Sequence, residues 1–255
     1  MNAPEAFQPG IHTLLTQHPD WLSQRRVGLV SHTAAVNRAG ESSAQLLAGC
    51  DDCTLVSLMG PEHGYFGNAP AGEHVNPERH PVWNVPIHSL YGETRRPTEA
   101  MLADLDAIVF DIQDLGVRCY TYVSTLRYIL ESAATHGKTV IVADRPIPFP
   151  NTVDGPMLQP ENESFVGSLP LPFVYGMTPG EAARWIVRTL DLKVDLKVAT
   201  MQGYERQARR QHDWPPWIPP SPGIVSWESA TCYPCTVFGE ALPAFDHGRV
   251  TGMPF

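Results

Sequence analysis

The chain is predicted to be an α/β protein, a parallel sheet with helices on both faces, followed by a proline-rich irregular region. Three observations predict it. Four short apolar runs, Val27–Val30, Thr54–Met59, Ala107–Phe110 and Thr139–Ala143, lack the alternation of a half-exposed strand, as strands buried on both faces do. Helical segments lie between these runs, giving the order β-α-β-α-β-α-β. Each run also ends in polar or ionisable residues, and open parallel sheets gather ligands at the carboxyl ends of their strands.

The first run leads to a short helix over Ser42–Ala48. The second ends in Gly60-Pro-Glu-His-Gly64, a glycine-flanked turn. A helix beginning near Pro97 carries Met101, Leu102 and Leu105 before the third run. The clearest element is a helix over Thr121–Thr135, which places Val123, Leu126, Ile129, Leu130 and Ala133 on one stripe, with Gly137 as its C-cap. Past Asp144 the segment Arg145-Pro-Ile-Pro-Phe-Pro150 is too rich in proline for helix and reads as a rigid extended link. It separates a core over residues 1–150 from a continuation of the same domain over residues 151–255. Thr178-Pro-Gly-Glu181 is a capping box with proline at the first helical position, followed by Ala182, Trp185, Ile186 and Leu190 at helical spacing. Leu192–Ala199 then alternates as a half-exposed strand. From Trp214 onward prolines at 215, 216, 219, 220, 222, 234, 243 and 254 predict loops or an irregular covering layer.

Composition excludes several classes. The 255 residues are 43% hydrophobic and 18% charged, with mean hydropathy -0.17, values of an ordinary globular protein. The formal charge of -9 and the lack of a lysine- or arginine-rich run argue against nucleic acid. No apolar stretch approaches the length of a membrane span, and the first residues lack a basic region followed by an apolar run; a cytoplasmic protein is expected. The cysteines number five, an odd count that fits no complete disulfide framework. Two C-x-x-C pairs, Cys50/Cys53 and Cys232/Cys235, stand too far apart in the chain for a compact zinc ribbon.

The chemistry concentrates after the strands: Ser31-His32-Thr33, then Glu62-His63, then Asp111, Gln113 and Asp114, then Asp144-Arg145. Glu62, in its glycine-flanked turn, suits a general acid, a role that burial favours by keeping a carboxyl protonated near neutral pH; a solvated surface glutamate is the plainer alternative. Glu73, Asp111 and Asp114 are further carboxylates. Paired carboxylates serve glycoside hydrolysis, and oxygen ligands on loops equally serve a Mg²⁺-dependent phosphate-ester hydrolase using Asp111, Asp114 and Glu62. Arg95, Arg96, Arg118 and Arg145 can each fork onto a substrate carboxylate or onto the protein's own acids. Tyr91, Tyr120 and Tyr122 suit a sugar-stacking wall or core packing. Glu181 is the partner in its helix cap.

Leu58-Met-Gly-Pro-Glu-His-Gly64, Ala71-Gly-Glu73, Ser89-Leu-Tyr-Gly92, Thr94-Arg-Arg-Pro97, Phe110-Asp-Ile-Gln-Asp-Leu-Gly-Val-Arg118, Tyr120-Thr-Tyr122, Asp144-Arg-Pro146, Ser164-Phe-Val-Gly167 and Gly176-Met-Thr178 follow one another in the chain. This series resembles the exo-β-N-acetylmuramidase (NamZ-type) family from about Val27 to Glu181, and more loosely to Tyr233-Pro234. The resemblance implies a Rossmann-like N-terminal domain that releases terminal N-acetylmuramic acid from peptidoglycan fragments, with no cofactor or metal. It implies Glu62 as the leading catalytic carboxylate, with Glu73 or Asp114 as the second. His32, His63, Tyr91, Asp111, Gln113, Tyr120 and Tyr122 are then expected to bind the amino-sugar or muropeptide substrate, and Arg96, Arg118 and Arg145 its lactyl carboxylate.

Three motifs depart from the family pattern. Ile147 replaces an asparagine, Gly223 another, and Glu240-Ala-Leu-Pro243 stands where the family has Glu-Gly-Thr-Asn. The chain stops near where the family's smaller C-terminal domain begins, so a separate C-terminal-domain partner is expected. A non-catalytic muropeptide-binding or interaction module is the alternative from another class.

Overall fold

The computed structural model describes residues 6–206, 210, 213–242 and 244. The four predicted strands become β1 (Arg25–Ser31), β2 (Cys53–Gly60), β5 (Ala107–Asp111) and β6 (Thr139–Ala143). They join β3 (Glu78–Arg79), β4 (Pro86–Ser89) and β7 (Leu196–Ala199) in one sheet of order β3-β4-β2-β1-β5-β6-β7. Every pairing is parallel except that of β3 with β4. The six parallel strands follow the Rossmann order, and its switch point lies between the central strands β1 and β5.

The absence of alternation in the strand sequences is explained by their two faces. Val30, Met59, Phe110, Val140 and Val142 enter one buried cluster, whereas their chain neighbours Leu29, Leu58, Val109 and Ile141 enter another. Both faces are covered, so both need apolar residues. The first cluster is closed by α4 (Tyr122–His136) and α5 (Pro179–Thr189), through Leu126, Ile129, Ala182 and Ile186. The second is closed by α1 (Gly10–Gln17) and α2 (Ser43–Ala48), through Ile11, Leu14, Ala44 and Leu47.

Local signals act as their chemistry demands. Gly137 ends α4 in the left-handed region at φ 63°, where a Cβ is penalised. Ser42 accepts from the Gln45 amide to start α2, and the Thr178/Glu181 capping box starts α5. The helix near Pro97 is a single turn, α3 (Glu99–Leu102), and Leu105 lies beyond it in a turn, buried against the sheet. β7 pairs with β6 and so extends the same sheet.

Three elements went unanticipated, and one expectation is overturned. α1 is brief, and Gly10 seats it against the sheet: a Cβ there would meet Asp144 N at 2.1 Å and Ala199 O at 2.4 Å. β3, of two residues, and β4, of four, are too short to carry a pattern, and only Ile87 of the six is a buried apolar side chain. The region after Trp214 is not wholly irregular, since α6 (Trp227–Thr236) forms despite Pro234 and runs into a 3₁₀ turn over Val237–Ala241. Two things offset the proline. A capping box of Ser226 and Ser229 starts α6, and Trp227 and Tyr233 pack edge-on to Trp214, Trp217 and Tyr120. Pro243 and Pro254 lie outside the described residues. No helix among those described is long and apolar enough to cross a membrane.

Candidate active site

Glu62 is held at the end of β2 by a tight turn. The Gly64 amide donates to the Pro61 carbonyl at 2.9 Å, and His63 and Gly64 both take positive φ, 69° and 77°. Gly60 is required by proximity: a Cβ there would stand 2.4 Å from the Tyr65 nitrogen. The turn aims the Glu62 carboxylate at two donors on different segments. Its Oε1 accepts from the Gly72 amide at 3.0 Å and its Oε2 from the Thr121 hydroxyl at 2.6 Å. Thr121 is the N-cap of α4 but makes no capping bond, because its hydroxyl is directed to Glu62. The partial positive charge of the α4 N-terminus adds to the hold on the carboxylate.

Around Glu62 lies a cavity of about 500 Å³, large enough for a sugar residue. Tyr120, Tyr122 and Tyr233 form an aromatic wall, with ring centres 4.7 Å apart for Tyr120–Tyr122 and 5.4 Å for Tyr120–Tyr233. The Tyr122 hydroxyl donates to the Pro220 carbonyl. The buried Tyr120 hydroxyl makes no hydrogen bond of good geometry, with Ser221 and Tyr122 as its polar neighbours. Burial first, helped by the Asp114 and Glu62 charges, pushes the Tyr120 phenol above its usual range. His63 lines the cavity and its Nδ1 donates to the Ala69 carbonyl at 2.8 Å; in the neutral ring this leaves Nε2 as the acceptor. A second carboxylate, Glu240, stands exposed on the rim, and its charge is felt by Cys119 and Tyr233.

The structure brings Glu62, His63, Tyr120 and Tyr122 together in this cavity and sets Tyr91 just behind it. Burial and the neighbouring Glu62 charge push the Tyr91 phenol up, and Arg95 lies over its ring at 4.7 Å. The other candidates are engaged elsewhere. Asp111 is fully buried in an ion pair with Arg145 and also accepts from Ser43, while Arg145 reaches the Val36 carbonyl at 3.0 Å. Neither is presented to a substrate. Asp114 accepts from the Tyr175 hydroxyl and the Leu115 amide, and burial raises its pKa to about 6. The Gln113 side-chain amide donates to the Asp114 and Pro146 carbonyls. Arg96 pairs with Glu131 and stacks on Tyr128, and Arg118 donates to the Pro156 and Leu171 carbonyls. Glu73 is exposed and does not line the cavity. His32 is buried beneath the Tyr122 ring, where its Nε2 accepts from the Gln113 backbone N–H at 3.0 Å.

With Asp111 and Asp114 so committed, the three carboxylates of the metal-dependent alternative do not converge. Among the described residues no group of three His, Cys, Asp or Glu could hold a metal ion. Thr121, Ser221, Tyr233 and Glu240 are site residues that sequence reasoning passed over. Thr121 sits between two tyrosines that were singled out, but its role depends on where the α4 N-terminus lies. Glu240 carried a sequence signal only as the retained first residue of a motif that otherwise departs from the family.

Fold and site together define a Rossmann-type α/β protein with a carboxylate-bearing, sugar-sized cavity beyond its strand ends. The model of the family described as "Exo-beta-N-acetylmuramidase NamZ, N-terminal" matches residues 27–228, and the chain belongs to that family. It is 40% identical over 249 residues to the peptidoglycan β-N-acetylmuramidase NamZ of Bacillus subtilis (strain 168), a match covering 97% of this chain and 60% of that protein. Crystal structures of two DUF1343 family proteins from Bacteroides fragilis are similar. One superposes with a TM-score of 0.85 at 36% identity, covering 92% of this chain and 60% of its own. The other has a TM-score of 0.77 at 28% identity, covering 91% and 62%.

Proposed function

We propose that this cavity is the active site of a glycoside hydrolase that releases terminal N-acetylmuramic acid from peptidoglycan fragments. The observation that carries the proposal is Glu62, pinned by Thr121 and Gly72 at the wall of a sugar-sized cavity that also presents Glu240. Two carboxylates beside one sugar site supply the acid and the nucleophile or base that glycoside cleavage needs. The two divide the roles of acid and of nucleophile or base between them, Glu240 taking the part first assigned to Glu73 or Asp114. Arg95, exposed over Tyr91 beside Glu62, takes the lactyl carboxylate in place of Arg96, Arg118 and Arg145. The 40% identity to a peptidoglycan β-N-acetylmuramidase supports the choice of sugar.

The chain spans 60% of that relative's length, and a C-terminal-domain partner that closes the cavity belongs to the proposal. Val166, Val225, Phe238 and Leu242 are exposed apolar side chains; Val166 and Val225 line the cavity, and Phe238 and Leu242 flank Glu240 in sequence.

The test uses a chromogenic N-acetylmuramic acid β-glycoside and a disaccharide muropeptide. Glu62→Gln is expected to slow release by about a hundred- to ten-thousandfold, and EDTA to leave the wild-type rate unchanged. Loss of activity in EDTA would return metal-assisted hydrolysis to consideration. Muropeptide binding without any release would make the chain a binding module.

A further inference from the structure

The wall supplied by α6 carries chemistry that glycoside hydrolysis does not use. Cys232 and Cys235 are both exposed thiols on α6, with Tyr233 and Pro234 between them. Three helical residues advance about 4.5 Å along the axis and turn through about 300°, which sets the two Cα atoms about 5 Å apart. That separation lies within the span of a disulfide. The side chains of an i,i+3 pair must still draw together, and a 3₁₀ turn does this by eclipsing them. α6 already passes into a 3₁₀ turn at Val237. Pro234, lacking an N–H, already leaves the helical ladder incomplete at this turn.

We propose that Cys232 and Cys235 are a redox-active dithiol, closed to an intramolecular disulfide by small-molecule disulfides, and that closure reshapes the wall of the cavity. The Cys232 thiolate attacks one sulfur of the reagent, breaking its S–S bond, forming a mixed disulfide and expelling one thiolate. The Cys235 thiolate then attacks the Cys232 sulfur and expels the second. The two cysteine protons end on the two released thiols, and two electrons pass from the protein to the reagent.

The other cysteines are less suited. Cys50 and Cys53 share the spacing, but burial and then the adjacent Cys50 push the Cys53 thiol up to about 12. Cys119 is pushed up to about 11, chiefly by burial. Thiol reactivity follows the accessible thiolate. The link to the cavity is Tyr233, which lines it and whose hydroxyl lies 3.7 Å from Cys119 Sγ. This link rests on the cavity proposed as the active site; the disulfide does not.

The test is to treat the full chain with a small-molecule disulfide, block remaining thiols with iodoacetamide and digest with trypsin. The arginines and lysines place Cys50 with Cys53, Cys119 alone, and Cys232 with Cys235 in three different peptides. The Cys232/Cys235 peptide is expected to escape alkylation, to lose the mass of two hydrogens and to recover both thiols in dithiothreitol. In Cys235→Ser, Cys232 is expected to keep the mixed disulfide. Alkylation of that peptide in full, or oxidation at Cys50/Cys53 in its place, overturns the proposal. Closure is also expected to change the alkylation rate of Cys119 by at least about twofold, a reading that needs no enzymatic activity; an unchanged rate overturns the link to the cavity. Where hydrolysis is measurable, oxidation is expected to slow the wild type and leave Cys232→Ser unaffected.

Discussion

At the residue scale, His32 shows how burial decides ionisation. Its Nε2 accepts the Gln113 backbone amide hydrogen, so in the neutral ring Nδ1 holds the proton and has no hydrogen bond of good geometry. Burial first, and then the Arg145 charge, lowers its pKa from 6.5 to about 3. The unfolded chain therefore takes up a proton as pH falls through 6.5, while the folded chain does so only near 3. The stability held above pH 6.5 is lost progressively towards pH 3, by about 2 kcal/mol between pH 7 and pH 5. Asp114 and Asp144 act in the opposite sense. Burial raises both from 3.8 to about 6, so the folded chain takes their protons first and gains stability as pH falls from about 6 to 4. In urea titrations at pH 7 and pH 5, the stability of His32→Asn relative to wild type is expected to improve by about 2 kcal/mol at the lower pH. An offset that does not change with pH would show that His32 is not held neutral.

At the scale of elements, two helix N-termini are used differently. Thr178 starts α5 through its capping box and also donates to Asp144 at 2.9 Å, and the Gly180 amide donates to the same carboxylate at 2.8 Å. This cap joins α5 to the end of β6. Thr178→Ala is expected to lower stability by about 1–2 kcal/mol, with Thr178→Ser recovering most of it, as read by thermal melts. Thr121 at the start of α4 is a contrast, since its hydroxyl serves Glu62 and no backbone amide. Thr121→Ala is expected to reduce muramic acid release while moving the melting temperature little; a large fall in melting temperature with unchanged kinetics would assign Thr121 a structural role only.

At the scale of the whole molecule, β7 joins residues beyond the proline link to the strands before it, and Gly10 of α1 packs where β6 and β7 end. We infer that the two parts of the chain unfold together. The tryptophans report on both, Trp21 and Trp83 before the link and Trp185, Trp214, Trp217 and Trp227 after it. Denaturation followed by tryptophan fluorescence and by far-ultraviolet circular dichroism is expected to give coincident midpoints. Two separated transitions would show that the region after the link is a separate folding unit.

The sequence by itself determined the four central strands, α4 with its glycine end, the α5 capping box and the exceptional turn at Glu62. Each is a local pattern whose cause lies within a few residues. It did not show α1 or β4, which are short and form through contacts with distant strands, nor α6, where aromatic packing and a cap override a proline. The choice of site residues was decided only by the tertiary structure. Asp111 ends β5 and Asp114 lies three residues on, yet one meets Arg145 and the other Tyr175, and neither reaches the cavity. Glu240, from far along the chain, does reach it. A carboxylate's role depends on which charge or donor faces it across the fold, and chain spacing does not carry that information.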